Sequence, residues 1–90
     1  MTFEWDEAKA AANLAKHGVS FDEAKTVFDD PLFVDFYDPE HSVDEHRYIT
    51  LGESQQGRLL IVAYTGRDEV TRLISAREVT STEREAYEES

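Results

Sequence analysis

Ninety residues hold one domain, spanning residues 1–90, near the lower size at which a single hydrophobic core is stable without a staple, and a second domain is excluded. Apolar residues at 40% and aromatics at 11% suffice for a folded core, while the absence of cysteine excludes disulfides, a thiolate nucleophile and Cys-ligated zinc. Twenty acidic against nine basic side chains give a net charge of −11, which opposes non-specific binding to membranes or nucleic acids.

The opening MTFEWDEAKAAANL places carboxylates where a secretory leader carries cations, and no apolar run approaches about 18 residues, so the expectation is a soluble cytoplasmic protein without membrane association. Phe3 and Trp5 form a short apolar start and are expected to plug the core. Asp6 is a suitable N-cap for EAKAAANLAKH, a run of strong helix formers that Gly18 ends, which predicts a first helix over 7–17. Ser20 with Glu23 makes a capping box, and Phe21, Ala24, Val27 and Phe28 recur at helical spacing until DDP, predicting a second helix over 21–28. From Leu32 the period becomes two, with Leu32, Val34 and Phe36 on one side and Phe33, Asp35 and Tyr37 on the other, which predicts a strand. DPEHSVDE reads as a loop, 46–52 as a second strand, SQQG as a turn, 58–66 as a buried central strand, RDEV as a tight turn and 70–77 as a fourth strand. Short connections between the last three imply an antiparallel meander. Thr80 and Glu83 form a second capping box opening a helix over 81–89. The fold class is therefore α+β: two N-terminal helices covering one face of a four-stranded antiparallel sheet, with a short C-terminal helix.

His41 and His46 lie among Asp38, Glu40, Asp44 and Glu45, a composition that attracts divalent cations, but the spacing matches no metal motif and no metal site is assigned. Phosphate-cradling glycine loops, nucleophile elbows and H-E-x-x-H are absent from the sequence, which excludes the nucleotide hydrolases, familiar serine hydrolases and zincins; no cofactor is expected. The basic residues are segregated. All three lysines precede residue 46 and all six arginines follow it, and residues 46–77 carry a net +2 in a chain of −11. Guanidinium suits bidentate phosphate contacts, although arginines on the wet face of a sheet are the plainer reading. Hairpins centred near 54–55 and 68 place Arg47 near Val62 and Arg72 near Tyr64 on one face, an arrangement that a one-residue slip reverses. Arg67 falls at a hairpin tip and Arg77 ~23 Å from Val70, so the two can contact successive phosphates of a bound strand. Lys16 and His17 end the first helix, where its negative pole favours a cation; His17 is either a structural feature there or a proton donor or acceptor.

The ordered motifs FEWDEAKAAANLAKHGVSFDEA, VFDDP, HSVDEHRYITLG, GRLLIVAYTGR and RLISAR resemble those of BrnT-type toxins of type II toxin–antitoxin systems, a branch of the RelE/ParE superfamily, over residues 3–88. The resemblance implies a RelE-like fold and an endoribonuclease that arrests translation without a metal, the ribose 2′-hydroxyl attacking the neighbouring phosphate. It implies that Arg67 and Arg77 stabilise phosphate charge and that His17, beside Lys16 in the family's K-H-G, acts as general acid or base, with Glu23 or Tyr64 as other proton carriers; with the arginine segregation, Lys16, Arg47 and Arg72 are expected to hold RNA. One position departs from the family: His46 stands before Arg47 where an acidic residue is common.

The partner implied is a basic BrnA-type ribbon-helix-helix antitoxin, which an acidic toxin suits and through which alone operator DNA is contacted. Two other readings stay open, a non-catalytic antitoxin-binding module or co-repressor and a gyrase-directed poison. The nuclease reading requires the late arginines to form a cationic strip that neighbouring carboxylates do not neutralise.

Overall fold

The computed structural model describes residues 1–39 and 46–89. The chain runs β1 (Thr2–Glu4), α1 (Glu7–His17), α2 (Phe21–Ala24) continued by a 3₁₀ segment (Lys25–Asp29), β2 (Val34–Asp38), β3 (Arg47–Glu53), β4 (Leu59–Arg67), β5 (Val70–Glu78) and α3 (Ser81–Glu89). The strands form one mixed sheet in the order β1-β5-β4-β3-β2, in which β1 runs parallel to β5 and the other pairs are antiparallel. Among the described residues no helix is long and apolar enough to cross a membrane.

The α1 boundaries follow from its caps. Asp6 Oδ1 accepts the N–H groups of Ala8 and Lys9 at 2.8 and 3.1 Å, and Gly18 ends the helix at φ 69°, in the left-handed region. Asn13, the one buried residue of α1, donates through Nδ2 to the carbonyls of Val19 and Ala76 and accepts the Ala76 N–H, which ties the helix to β5. Beneath α1 and α2 lies the core: Val19, Phe21, Ala24 and Val27 pack against Leu60 and Val62 of β4 and Leu73 and Ala76 of β5. Leu73 and Ala76 are three apart yet both face the helices, because a bulge opposite Ala63/Tyr64 absorbs one residue of β5. Gly52 admits the 3₁₀ segment to β3, since a Cβ there would stand 3.0 Å from Val27 Cγ1 and 3.1 Å from Phe33 Cβ.

Four expectations need correction. The sheet has five strands, not four, and is mixed; the three-residue β1 is too short to show a period, although Phe3 and Trp5 do plug the core against Phe28 and Phe21. The second helix is α-helical only to Ala24 and tightens into 3₁₀ turns over Lys25–Asp29. Arg47 pairs with Thr65 and not Val62, because residues 54–58 form a longer turn, closed by the Ser54 N–H on the Arg58 carbonyl at 2.8 Å. Arg72 also pairs with Thr65 and not Tyr64, because the β4–β5 connection is a two-residue loop, Asp68–Glu69, with both φ angles positive. These odd-numbered shifts leave Val62 and Tyr64 facing the helices and turn Arg47 and Arg72 to the opposite face.

Candidate functional site

On the face away from α1 and α2, one row of residues crosses all five strands at one end of the sheet: Asp38, Arg47, Thr65, Arg72 and Glu4. Arg47 and Arg72 are two strand spacings apart, roughly 10 Å between Cα atoms, with the buried Thr65 between them. Arg67 closes the same end, the last residue of β4 and the partner of Val70; its side chain lies outside the described part. Arg72 meets Glu4 at 3.5 Å with both side chains about half exposed, a surface pair worth about 0–1 kcal/mol, which a phosphate can displace.

The other face of this rim carries an aromatic row. Tyr37, Tyr48 and Tyr64 are cross-strand neighbours with successive ring centroids 5.6 Å apart, and Tyr64 continues through Phe28 to Phe3 in the core. The Tyr64 hydroxyl donates to the Asp35 carboxylate, 2.7 and 2.8 Å from its two oxygens; burial and that carboxylate push the phenol well above its ordinary range. At the open end of the row His46, just before β3, is exposed, with Nδ1 3.0 Å from Tyr37 Oη and the two rings 5.6 Å apart.

The remaining predicted groups lie elsewhere. Arg77 pairs with Ile61, far along β5 from Arg72, and donates to both Glu83 oxygens at 2.8 and 2.9 Å, so it fastens α3 to the sheet. The Glu83 carboxylate also accepts the Thr80 N–H at 2.9 Å; Arg77, with that N–H, holds it down to about 2 against the effect of burial. A second bond fastens the same helix, from the Tyr87 hydroxyl to Asp30 at 2.6 Å.

Lys16 and the half-buried His17 sit at the α1 terminus, beside Gly18, whose carbonyl accepts from Arg58 at 3.0 Å. Arg58 also grips Glu23 through two nitrogens, and the Ser54 hydroxyl donates to the same carboxylate at 2.7 Å. Glu23 is 3% exposed, and the Arg58 bonds lower its pKa despite burial, so this carboxylate is a structural anion closed to substrate. The strip expected from the sequence is thus divided: Arg47, Arg67 and Arg72 share one rim, while Arg58 and Arg77 serve structural ion pairs away from it. Of the predicted acidic loop, residues 40–45 lie outside the described residues, His41 included. The His46–Tyr37 contact escaped sequence reasoning because it joins two strand ends across a loop, and only the β2–β3 register brings them together.

A search of curated proteins finds no match to this sequence. Among solved structures the fold is similar to the crystal structure of the Brucella abortus ribonuclease toxin BrnT, at 25% sequence identity and a TM-score of 0.65, covering 90% of this chain and 99% of that one. The family model described as the ribonuclease toxin BrnT of type II toxin–antitoxin systems matches residues 5–83, nearly the whole sequence from α1 through the capping box of α3. With that span of agreement, the chain belongs to the BrnT family of ribonuclease toxins.

Proposed function

We propose that this protein is a metal-independent endoribonuclease that cleaves RNA, inhibits translation and is neutralised by a BrnA-type ribbon-helix-helix antitoxin. The observation that carries the reading is the gathering of Arg47, Arg67 and Arg72 at one rim of a chain whose net charge is −11. Guanidinium groups bind phosphate oxygens and are poor metal ligands, so the rim suits direct stabilisation of a developing phosphorane. In the reaction the 2′-oxygen forms a bond to the adjacent phosphorus and the P–O5′ bond breaks, leaving a 2′,3′-cyclic phosphate and a 5′-hydroxyl. Arg77, assigned to phosphate by the family resemblance, reaches it only by exchanging Glu83. Lys16 and His17, at the other end of the molecule, suit an outlying contact with the RNA.

Membership in a toxin family implies an antitoxin partner, and the acidic surface suits a basic one that supplies all contacts to operator DNA. Expression of the chain alone is expected to stop growth, Arg67→Ala with Arg47→Ala to relieve the arrest at equal protein level, and purified protein in EDTA to cut RNA. Intact growth and intact RNA with the wild-type chain overturn the reading. The ion pairs of Arg58 and Arg77 favour one second reading, a non-catalytic antitoxin-binding module, which tight antitoxin binding without any RNA cleavage selects.

A further inference from the structure

The ribonuclease reading leaves a vacancy in the chemistry: arginines stabilise charge but do not carry protons at neutral pH. The other candidates at hand are unsuited to the task. Glu23 is buried and locked by Arg58 and Ser54, and His17 sits at the α1 terminus, beside the Arg58 cluster and away from the rim. Tyr64 keeps its proton, because its hydroxyl is committed to the Asp35 carboxylate. His46 differs from these in both position and access. It lies on the aromatic face, opposite the face that carries Arg47 and Arg72, but at the strand end that β4 closes with Arg67, where both faces meet at the sheet's rim, and its ring is exposed.

We infer that His46, oriented by Tyr37, is the proton carrier of the rim; this assignment rests on the ribonuclease reading. The bond at 3.0 Å between Tyr37 Oη and His46 Nδ1 has a specific consequence. In the tautomer where Nδ1–H donates to the tyrosine oxygen, Nε2 is an unprotonated acceptor facing solvent. Nε2 takes the proton of the 2′-hydroxyl as the 2′-oxygen bonds to phosphorus. The imidazolium then returns that proton to the 5′-oxygen as the P–O5′ bond breaks, so protons balance and neutral histidine is regenerated. Orientation comes from the aromatic row: Tyr37 lies against both His46 and Tyr48, and Tyr48 stacks on Tyr64, which reaches the core. An exposed imidazole is thereby held by a support that crosses three strands, and the tyrosines beside it offer flat faces on which an unpaired base can stack.

The test uses the full chain with an RNA oligonucleotide for cleavage and its 2′-O-methyl analogue, which cannot react, for affinity by fluorescence anisotropy. His46→Ala is expected to lower the single-turnover rate about 100-fold or more with unchanged affinity for the analogue, and added imidazole to restore part of the rate to this variant alone. His46→Gln, which preserves a hydrogen bond to Tyr37 but accepts no proton at this pH, is expected to show the same loss. Tyr37→Phe, which leaves the ring but removes the orienting oxygen, is expected to lose several-fold, and imidazole does not repair it. A His46→Ala rate equal to wild type, or a loss lying wholly in affinity, overturns the assignment and leaves the ribonuclease reading standing. A wild-type chain that cuts no RNA overturns both.

Discussion

The two ends of the sheet use the same side chain for opposite purposes. At one end Arg58 and Arg77 each meet a carboxylate through two nitrogens, Glu23 buried and Glu83 half-buried, and the pairs fasten the β3–β4 turn to α2 and α3 to the sheet. At the other end Arg72 meets Glu4 at 3.5 Å in the open, a contact that costs little to exchange. A guanidinium already held by a desolvated, bidentate anion is a strut; one facing an exposed, single-contact anion is available to a phosphate. Counting arginines says nothing about which is which. The geometry of the carboxylate partner decides it.

The largest effect that tests this division is on catalysis. Arg67→Ala is expected to lower RNA cleavage about 10²–10³-fold, the size seen when one preorganised donor to a transition-state oxyanion is removed. Arg47→Ala is expected to act in the same direction with a smaller loss, and single-turnover rates check both. Should Arg58→Ala reduce cleavage as much at equal folded protein, the two ends do not differ and the comparison fails. For stability the order reverses. Arg58→Ala strands the Glu23 carboxylate, which is 3% exposed, and is expected to cost about 3 kcal/mol in urea denaturation. Arg72→Ala, breaking the exposed pair with Glu4, is expected to cost less than about 1 kcal/mol.

Sequence reasoning reached the elements more readily than their alignment. Asp6, Gly18, Ser20 and Thr80 are local signals: α1 begins and ends, and α2 and α3 begin, where those caps place them. Registers depend on turn length and bulges, which one or two residues alter with little trace in composition. The bulge opposite Ala63/Tyr64 therefore went unread, and the turn at SQQG was read but centred too early, its closure over residues 54–58 shifting the register. The same gap hid the site. Arg47, Arg67 and Arg72 were visible as a charge pattern, but their separation from Arg77 needed the β5 register. Glu23 was visible as a capping residue, yet only half the box forms: Ser20 Oγ accepts the Glu23 N–H at 3.0 Å while the Glu23 carboxylate turns to Arg58. A long-range partner outcompeted the local one.

A smaller effect sharpens the comparison through pH. Glu83 is held at about 2, below the ordinary glutamate value of 4.5, by its bonds from Arg77 first and then from the Thr80 N–H, which outweigh burial. A carboxylate depressed in the folded state contributes stability that is fully present above 4.5 and lost as pH falls toward 2. Helix α3 has no buried residue, so acidification through this window is expected to loosen it, as read by the NMR shifts of Ala86 and Tyr87. Glu23 and Asp30 are also lowered and weaken the whole fold over an overlapping range, so the Glu83 share is the difference from Glu83→Gln. That variant keeps the N-terminal cap, loses the charge, and is expected to cost about 0.5–1 kcal/mol at neutral pH. It also tests Arg77. Faster RNA cleavage by Glu83→Gln would return Arg77 to the phosphate-binding set, whereas an unchanged rate keeps it as a strut.

The smallest expected effect lies in the turn that carries the rim. Asp68 and Glu69 both adopt positive φ, 47° and 68°, as a two-residue hairpin between Arg67 and Val70 demands. Aspartate tolerates the left-handed region through its short polar side chain; glutamate has no such compensation, and an L-residue there costs roughly 1–2 kcal/mol. Glycine at position 69 removes that cost but brings a larger unfolded-state entropy, roughly 0.5–1 kcal/mol, so Glu69→Gly is expected to gain about 0.5 kcal/mol net. In a domain of this size that is a rise of about 3 °C in Tm, measurable by thermal denaturation. The hairpin register is set by its two-residue length, which the substitution preserves, so RNA cleavage is expected to stay at the wild-type rate. A gain in Tm accompanied by slower cleavage would mean that the strained turn itself aims Arg67, placing the rim's precision in its backbone and not in its charges.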